Sequence, residues 1–250
     1  MRDVQHLLAQ NHFWATAMVG RDPDYFARLA NQQRPHYLWI GCADSRLPAE
    51  LIMQLAPGEL FVHRNVANLV LHTDLNCLSV LQFAVEVLQV RHVIVCGHYG
   101  CGGIGAAWAY ARLGLVDTWL QNVQNVREGH AMHLASLQSD VERIDRLSEL
   151  NVIEQVSSAC RTSIVQEAWQ RGQALAVHGW IYRVDDGLLH DLEVTVTAAA
   201  ELQPQYDRAV GTLPPFKARP DSSDGSARTA PGGDASRRAA TTARSRRRPE

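Results

Sequence analysis

Residues 93–105, V-I-V-C-G-H-Y-G-C-G-G-I-G, constrain this chain more than any other run in it. Val93, Ile94, Val95 and Cys96 have the composition of a buried strand, Gly97 ends it, and an alanine-rich helical pattern starts at Ala106. Open α/β sheets hold their ligands at the carboxyl edge of such strands, where the chain turns into a helix. His98 and Cys101 fall in that turn, two soft metal ligands at His-x-x-Cys spacing. Two ligands do not close a metal site, so the others must come from elsewhere in the sequence.

The rest of the chain reads as strands alternating with helices. An apolar stripe over residues 4–14 predicts an amphipathic helix. Asp22-Pro23-Asp24 reads as a helix start with Asp22 as N-cap, followed by a short helix over 25–31. Strands are expected at 37–40, 59–66, 93–96, 175–182 and 188–196, the last two joined as a hairpin through Asp185-Asp186-Gly187. Helices are expected at 48–55 and 75–90. The stretch 106–171 reads as mostly helical, broken near Gly114 and Gly129-His130, with 151–170 its longest helix. The fold class that follows is α/β: a mostly parallel central sheet with an antiparallel edge strand, covered by helices and preceded by an N-terminal helical arm over about residues 1–34.

With 250 residues and 46% hydrophobic content, one domain with a full core is affordable. No run approaches the ~18 consecutive apolar residues of a membrane span, and the first twenty residues lack the apolar core of a signal peptide. A cytoplasmic protein without membrane contact is the expectation. Five cysteines, at 42, 77, 96, 101 and 160, favour metal or thiol chemistry over a disulfide framework. Residues 211–250 hold nine Lys and Arg against four Asp and Glu, whereas residues 1–210 hold 15 against 22. The acidic segment 1–210 is therefore read as the folded domain, and the Arg-, Ala-, Ser- and Pro-rich segment 211–250 as a disordered tail. Its arginines, Arg237-Arg238 and those at 244 and 246–248, lack interleaved aromatics, which argues against nucleic acid as a partner.

The first strand ends as the third does, in Gly41-Cys42-Ala43-Asp44. If the two strands are neighbours, Cys42, Asp44, His98 and Cys101 project from one carboxyl edge and form an acceptable tetrahedral Zn²⁺ set. Taken singly, each cysteine reads equally well as a buried structural thiol and His98 as a hydrogen-bonded loop residue. Their joint placement at strand ends beside glycines favours the metal. Cys96, inside an apolar strand, reads as a core cysteine, as do Cys77 and Cys160. Asp44 lies two residues before Arg46, within reach of a bidentate guanidinium pair.

C-x-D-x-R at 42–46 together with H-x-x-C-G-G at 98–103 resembles the β-class carbonic anhydrases. The resemblance extends from about Asp3 to Tyr206, through E-L-F-V-H-R-N-V-A-N at 59–68 and H-G-W at 178–180. It implies reversible hydration of carbon dioxide to bicarbonate and a proton, by attack of zinc-bound hydroxide, with one zinc per subunit. It also implies two catalytic roles for the Asp44–Arg46 pair. Asp44 held by Arg46 leaves the fourth zinc position to water; Asp44 on zinc turns the enzyme off. The subgroup called type II switches between these states, and its inhibitory bicarbonate pocket resembles Trp39, Arg64 and Tyr182 here. Leu47 departs from that pattern, which usually carries valine. Gln33 matches a glutamine that reaches substrate from the partner subunit, and Gly102 offers a backbone N–H to substrate. The family implies a homodimer as the minimum unit and commonly a homotetramer. Alternatives are a hydrolase of a related cumulene, carbonyl sulfide or carbon disulfide, on the same fold, or a bicarbonate- or zinc-binding module without turnover. Tyr99 and His63 lie near enough in sequence to be weighed for proton transfer.

Overall fold

The computed structural model describes residues 4–213. Five strands, β1 (Tyr37–Cys42), β2 (Leu60–Asn65), β3 (His92–His98), β4 (Ala176–Tyr182) and β5 (Leu189–Val196), form one sheet in the order β2-β1-β3-β4-β5. The first four are parallel, and β5 pairs antiparallel with β4 at the edge, with a bulge between Gly179 and Trp180. The sheet class expected from the alternation of strands and helices is the one observed.

Alternation along the central strands divides the core. Leu38 and Ile40 of β1 and Val93 and Val95 of β3 point to one face. Trp39, Ile94 and Cys96 point to the other. The first face is covered by α4 (Leu75–Gln82), α8 (Asp140–Cys160), α9 (Ser163–Gln170) and α10 (Leu202–Thr212). On the second, Trp39 and Tyr182 pack with Leu47 and with Ala49 of the short α3 (Ala49–Ile52). A third cluster lies beyond the carboxyl edge, where Ile104 and Ala107 of α5 (Gly102–Trp108) meet Leu120 and Val123 of α6 (Leu115–Gly129). The break at Gly129-His130 separates α6 from α7 (Ala131–Ala135) as expected.

Several boundaries differ from the sequence reading. The N-terminal helix α1 runs Gln5–Arg21, longer than its apolar stripe, and none of its residues is buried. Leu8 and Phe13 are 66% and 78% exposed. Asp22 is not the N-cap of the next helix: it closes α1, while Asp24 precedes α2 (Tyr25–Ala30). Its carboxylate instead takes the guanidinium of Arg28, Nη1 to Oδ1 3.0 Å. Residues 151–170 are two helices rather than one. Cys160 ends α8, and the Thr162 hydroxyl caps α9 by accepting from Val165 N at 3.3 Å. The longest helix starts earlier, at a capping box in which Ser139 Oγ accepts from Glu142 N (3.2 Å) and Glu142 accepts from Ser139 N (3.3 Å). The helix read over 75–90 relaxes into a π turn at Phe83–Val87, with Phe83 against Phe61 at 5.9 Å between ring centroids. Helix α10 was not anticipated, and it carries the fold to Thr212, past the boundary drawn at 210. The tail expectation for the remaining residues, with its arginines, lies outside the described residues. Among the described residues no helix is long and apolar enough to cross a membrane.

Helix α8 also reaches past the sheet to the loop that follows β2. Asn151 Nδ2 donates to Ala67 O at 2.9 Å, and Gln155 Oε1 accepts from Val70 N at 2.8 Å. Ala67 is in the left-handed region at φ 65°, an unfavourable conformation for a side chain with Cβ that its buried partners maintain.

Candidate metal centre

Strands β1 and β3 are hydrogen-bonded neighbours in parallel register, Gly41 opposite Cys96. Cys42 and His98 therefore leave the sheet side by side at its carboxyl edge. The turn that follows β3 brings Cys101 back beside them as the residue before α5, helped by Gly100 at φ 66°. The Cys42, His98 and Cys101 ligand atoms all lie within 4.8 Å of one another, and all three residues are buried. The two sulfurs are 3.8 Å apart.

The donor set fits zinc. His98 Nδ1 lies 3.1 Å from the carbonyl oxygen of Tyr99, which assigns the ring proton to Nδ1 and leaves the Nε2 lone pair facing the sulfurs. His98 Nε2 is buried and has no hydrogen-bond partner among the described residues, as suits an atom meant for a metal. The Cys101 thiol, hydrogen-bonded to Cys42, holds Cys42 well below the ordinary thiol range, against the effect of burial. The same bond, with burial, pushes Cys101 up. A pair of thiols this close cannot both ionise on their own account, and a divalent cation between them is what resolves their repulsion.

Asp44 stands beside this trio with its carboxylate bonded to Arg46. Its Oδ1 accepts from Arg46 Nε at 2.9 Å and from Arg46 N at 2.9 Å, and its Oδ2 accepts from Arg46 Nη2 at 2.7 Å. This bidentate guanidinium holds the Asp44 carboxyl well below the usual carboxylate range. Oδ2 is still only 3.8 Å from His98 Nε2, so a small rotation separates its two partners. Arg46 Nη2 also reaches the Gly100 carbonyl at 3.4 Å, tying the turn after β1 to the loop that carries the other ligands.

Trp39, Arg64 and Tyr182 lie on one side of the sheet. Arg64 on β2 is opposite Gly41 on β1, and the indole of Trp39 fills the space over Gly41. Trp39, 1% exposed, packs in one cluster with Tyr182, Leu47 and Cys96. Arg64 Nε donates to Cys42 O at 2.9 Å, and its Nη2 donates to Asp44 O. Gln33 is exposed in the connection before β1, at the opposite end of that strand from Cys42. Within one chain it is not brought to the cluster. Gly102, the first residue of α5, is exposed with open space at its Cα.

Other expected features resolve plainly. Cys96 is fully buried in the sheet and its thiol is raised by that burial, as a core cysteine. A second trio, His63, Asp74 and Cys77, also brings donor atoms within 4.8 Å, but its members serve the fold. His63 Nε2 is 3.2 Å from Asn65 Nδ2, Asp74 Oδ1 caps α4 by accepting from Asn76 N, and burial pushes Cys77 up to about 12. Tyr99 donates its hydroxyl proton to Glu149 Oε1 at 2.5 Å. Sequence reasoning missed Glu149, since a glutamate inside a long helix reads as a solvent-facing residue, and only the register of α8 against β3 buries it.

A Cys-His-Cys centre at the edge of a parallel sheet, beside an aspartate clamped by arginine, defines a class whose members can be compared directly. The carbonic anhydrase family matches this chain over residues 37–189. Over 207 residues the chain is 43% identical to a carbonic anhydrase of Emericella nidulans, covering 82% of this chain and 91% of that one. Among solved structures it is similar to a Coccomyxa β-carbonic anhydrase in complex with acetazolamide, with 39% identity and a TM-score of 0.76 over 86% of this chain and 100% of that one. A tetrameric β-carbonic anhydrase of Sordaria macrospora gives 38% identity and a TM-score of 0.73 over 77% of this chain and 98% of that one. The chain belongs to the carbonic anhydrase family, with β-class enzymes as its structural neighbours.

Proposed function

We propose that this chain catalyses the reversible hydration of carbon dioxide to bicarbonate and a proton at one zinc per subunit held by Cys42, His98 and Cys101. The convergence of those three buried donor atoms within 4.8 Å, with Asp44 turned to Arg46 beside them, carries the proposal. Zinc bound there would supply Lewis acidity that makes water a nucleophile near neutral pH, the effect for which histidine-ligated carbonic anhydrases are the reference case. Two thiolates and a neutral imidazole cancel the charge of the cation, so its acidifying power is lower than with three histidines, and activity should rise towards alkaline pH.

The chain's own residues act around that centre. Arg46 keeps Asp44 ionised and turned aside, where its Oδ2 accepts a hydrogen bond from the attacking oxygen and fixes its lone pair on the substrate. Released from Arg46, Asp44 would be free to ligate the metal in place of water, which would be the inactive state. Trp39, Arg64 and Tyr182 form the bicarbonate pocket that biases this choice: an indole N–H, a guanidinium and a phenol together suit a small planar anion. An anion bound there favours the closed state only by binding it more tightly than the open one. Because Arg64 holds the carbonyls of Cys42 and Asp44, a change in its partners reaches the Asp44 turn directly. Gly102 N–H steadies the oxygens of bicarbonate at the start of α5.

A second copy of the chain completes the unit. It would supply Gln33 to the substrate site and cover the exposed apolar residues of α1. The tetrameric assembly named for the Sordaria neighbour is the model for the whole. A cytoplasmic setting accords with five unpaired cysteines.

Stopped-flow hydration of carbon dioxide by the zinc-loaded protein, followed against pH with and without added bicarbonate, tests the catalytic and the regulatory proposals. Activity that rises with pH and is suppressed by bicarbonate is expected. No activity at any pH would overturn the catalytic proposal; activity indifferent to bicarbonate would remove only the regulatory one.

A further inference from the structure

The structure assigns a positioning role to Glu149 of α8: through the phenol of Tyr99, it sets the orientation of the His98 imidazole. The inference rests on His98 being a zinc ligand. It follows a short covalent and hydrogen-bonded path. His98 is fixed in its ring plane by a single backbone acceptor, the carbonyl of Tyr99, 3.1 Å from Nδ1. The direction of that carbonyl depends on where residue 99 is pinned, and residue 99 is pinned at three points. Its N–H donates to Tyr182 O at 3.0 Å. Its ring lies under the guanidinium of Arg183, Cζ to centroid 4.4 Å. Its hydroxyl donates to Glu149 Oε1 at 2.5 Å.

Glu149 is 5% exposed on a helix face packed against the sheet, and burying a carboxylate is costly unless it is paired. Its second oxygen, Oε2, lies 3.2 Å from Arg146 Nε, itself 3% exposed. The protein thus keeps a buried ion pair whose far end holds the one side chain between the ligands His98 and Cys101 that reaches into the core. Outer partners of a ligating histidine fix its tautomer and aim, and losing one typically costs ~10–100-fold in metal affinity. Glu149 stands one residue further out than such partners, so the low end of that range is expected.

Zinc affinity, measured by competition with a chromophoric chelator, and the visible absorption of the Co²⁺-substituted protein test the assignment without relying on activity. Tyr99→Phe keeps the ring and its packing and removes only the hydroxyl; it should weaken zinc binding about tenfold and shift the Co²⁺ ligand-field bands. Glu149→Ala should do the same. Glu149→Gln, which keeps an acceptor for the phenol, should stay near wild type. The double variant Tyr99→Phe/Glu149→Ala should bind no worse than the weaker single one, because both remove the same bond. Wild-type protein retaining one zinc while Tyr99→Phe binds it equally tightly overturns the role of Glu149 alone. Wild-type protein that retains no zinc overturns the metal centre together with it.

Discussion

Arg64 Nε donates to the carbonyl oxygen of Cys42 across 2.9 Å. The cation that would receive bicarbonate is thus already in contact with the backbone of a proposed metal ligand, and through Nη2 with Asp44. Arg64→Ala removes both bonds and the anion's main charge partner. Inhibition by added bicarbonate should largely disappear in initial-rate measurements, with zinc content unchanged. Unaltered inhibition would take Arg64 out of the regulatory pocket.

Arg46 and Asp44 make two side-chain bonds and one from the Arg46 backbone N–H. Without the guanidinium, Asp44 keeps only the backbone N–H of residue 46, and its Oδ2 is left without a partner 3.8 Å from His98 Nε2. Arg46→Ala should therefore keep full zinc while kcat/KM falls on the order of 100-fold or more, the usual scale for losing a positioned proton acceptor. Arg46→Lys should fall between, since an ammonium keeps the charge and loses the fork. Loss of zinc in Arg46→Ala would show instead that Arg46 is needed to build the site.

A Cβ placed on Gly41 would lie 2.2 Å from Trp39 Nε1. Gly41→Ala must push the indole out of its pocket against Leu47 and Tyr182. Overpacking of this kind costs ~1–3 kcal/mol, visible as a lowered Tm, and the bicarbonate response should change with it. A variant of wild-type Tm and wild-type inhibition would mean that the indole has room to yield.

Far from the metal, His92 Nδ1 lies 3.0 Å from His178 Nε2, and His178 Nδ1 lies 2.9 Å from Thr195 Oγ1. One of the two facing nitrogens must be bare, so the pair resists full protonation. Burial lowers both groups; Arg91 and His36 add to this at His92, and His92 adds to it at His178, while Asp191 opposes. A histidine lowered from 6.5 takes its proton first in the unfolded chain. Its stabilising share is whole above that value and shrinks as pH falls through it, until the folded group titrates too. His63 and His133, also lowered by burial, act in the same sense. Glu149, raised by burial, acts oppositely but only above its ordinary 4.5. Urea unfolding should thus show stability falling between about pH 7 and 6, with a shallower slope in His178→Gln. An equal slope in that variant would take His178 out of the effect.

The sheet and the clustering of Cys42, His98 and Cys101 were legible in the sequence because their signals are local. A β-branched run that ends in glycine and cysteine states both the strand and the edge at which it stops. The neighbouring of β1 and β3, which makes Cys42 and His98 one site, had to be supposed from the similarity of their ends. The helical region was less legible. Ser139 and Glu142 form a capping box that the sequence displays, yet the stronger apolar pattern downstream drew the helix start to 151. Thr162 breaks the same pattern with a cap rather than with glycine or proline. Helix α10 buries only Leu202 and Ala209, too sparse a stripe to declare itself. Gln33 shows the other limit: it is exposed and away from the cluster in one chain, so the role proposed for it depends on a second copy. Glu149 is silent for a related reason, since its significance lies in what faces it and not in its neighbours along the helix.

The bonds from α8 to the loop after β2 have a consequence for motion. Val70 N is in an irregular segment, which ordinarily exchanges its amide hydrogen quickly. Here it is locked to Gln155 of a helix with fourteen buried residues. Its exchange should follow that of the α8 amides, in one cooperative unit that opens only with the core. The loop whose Ala67 and Leu69 pack in one cluster with Cys42 and Cys101 then has no independent breathing mode of its own.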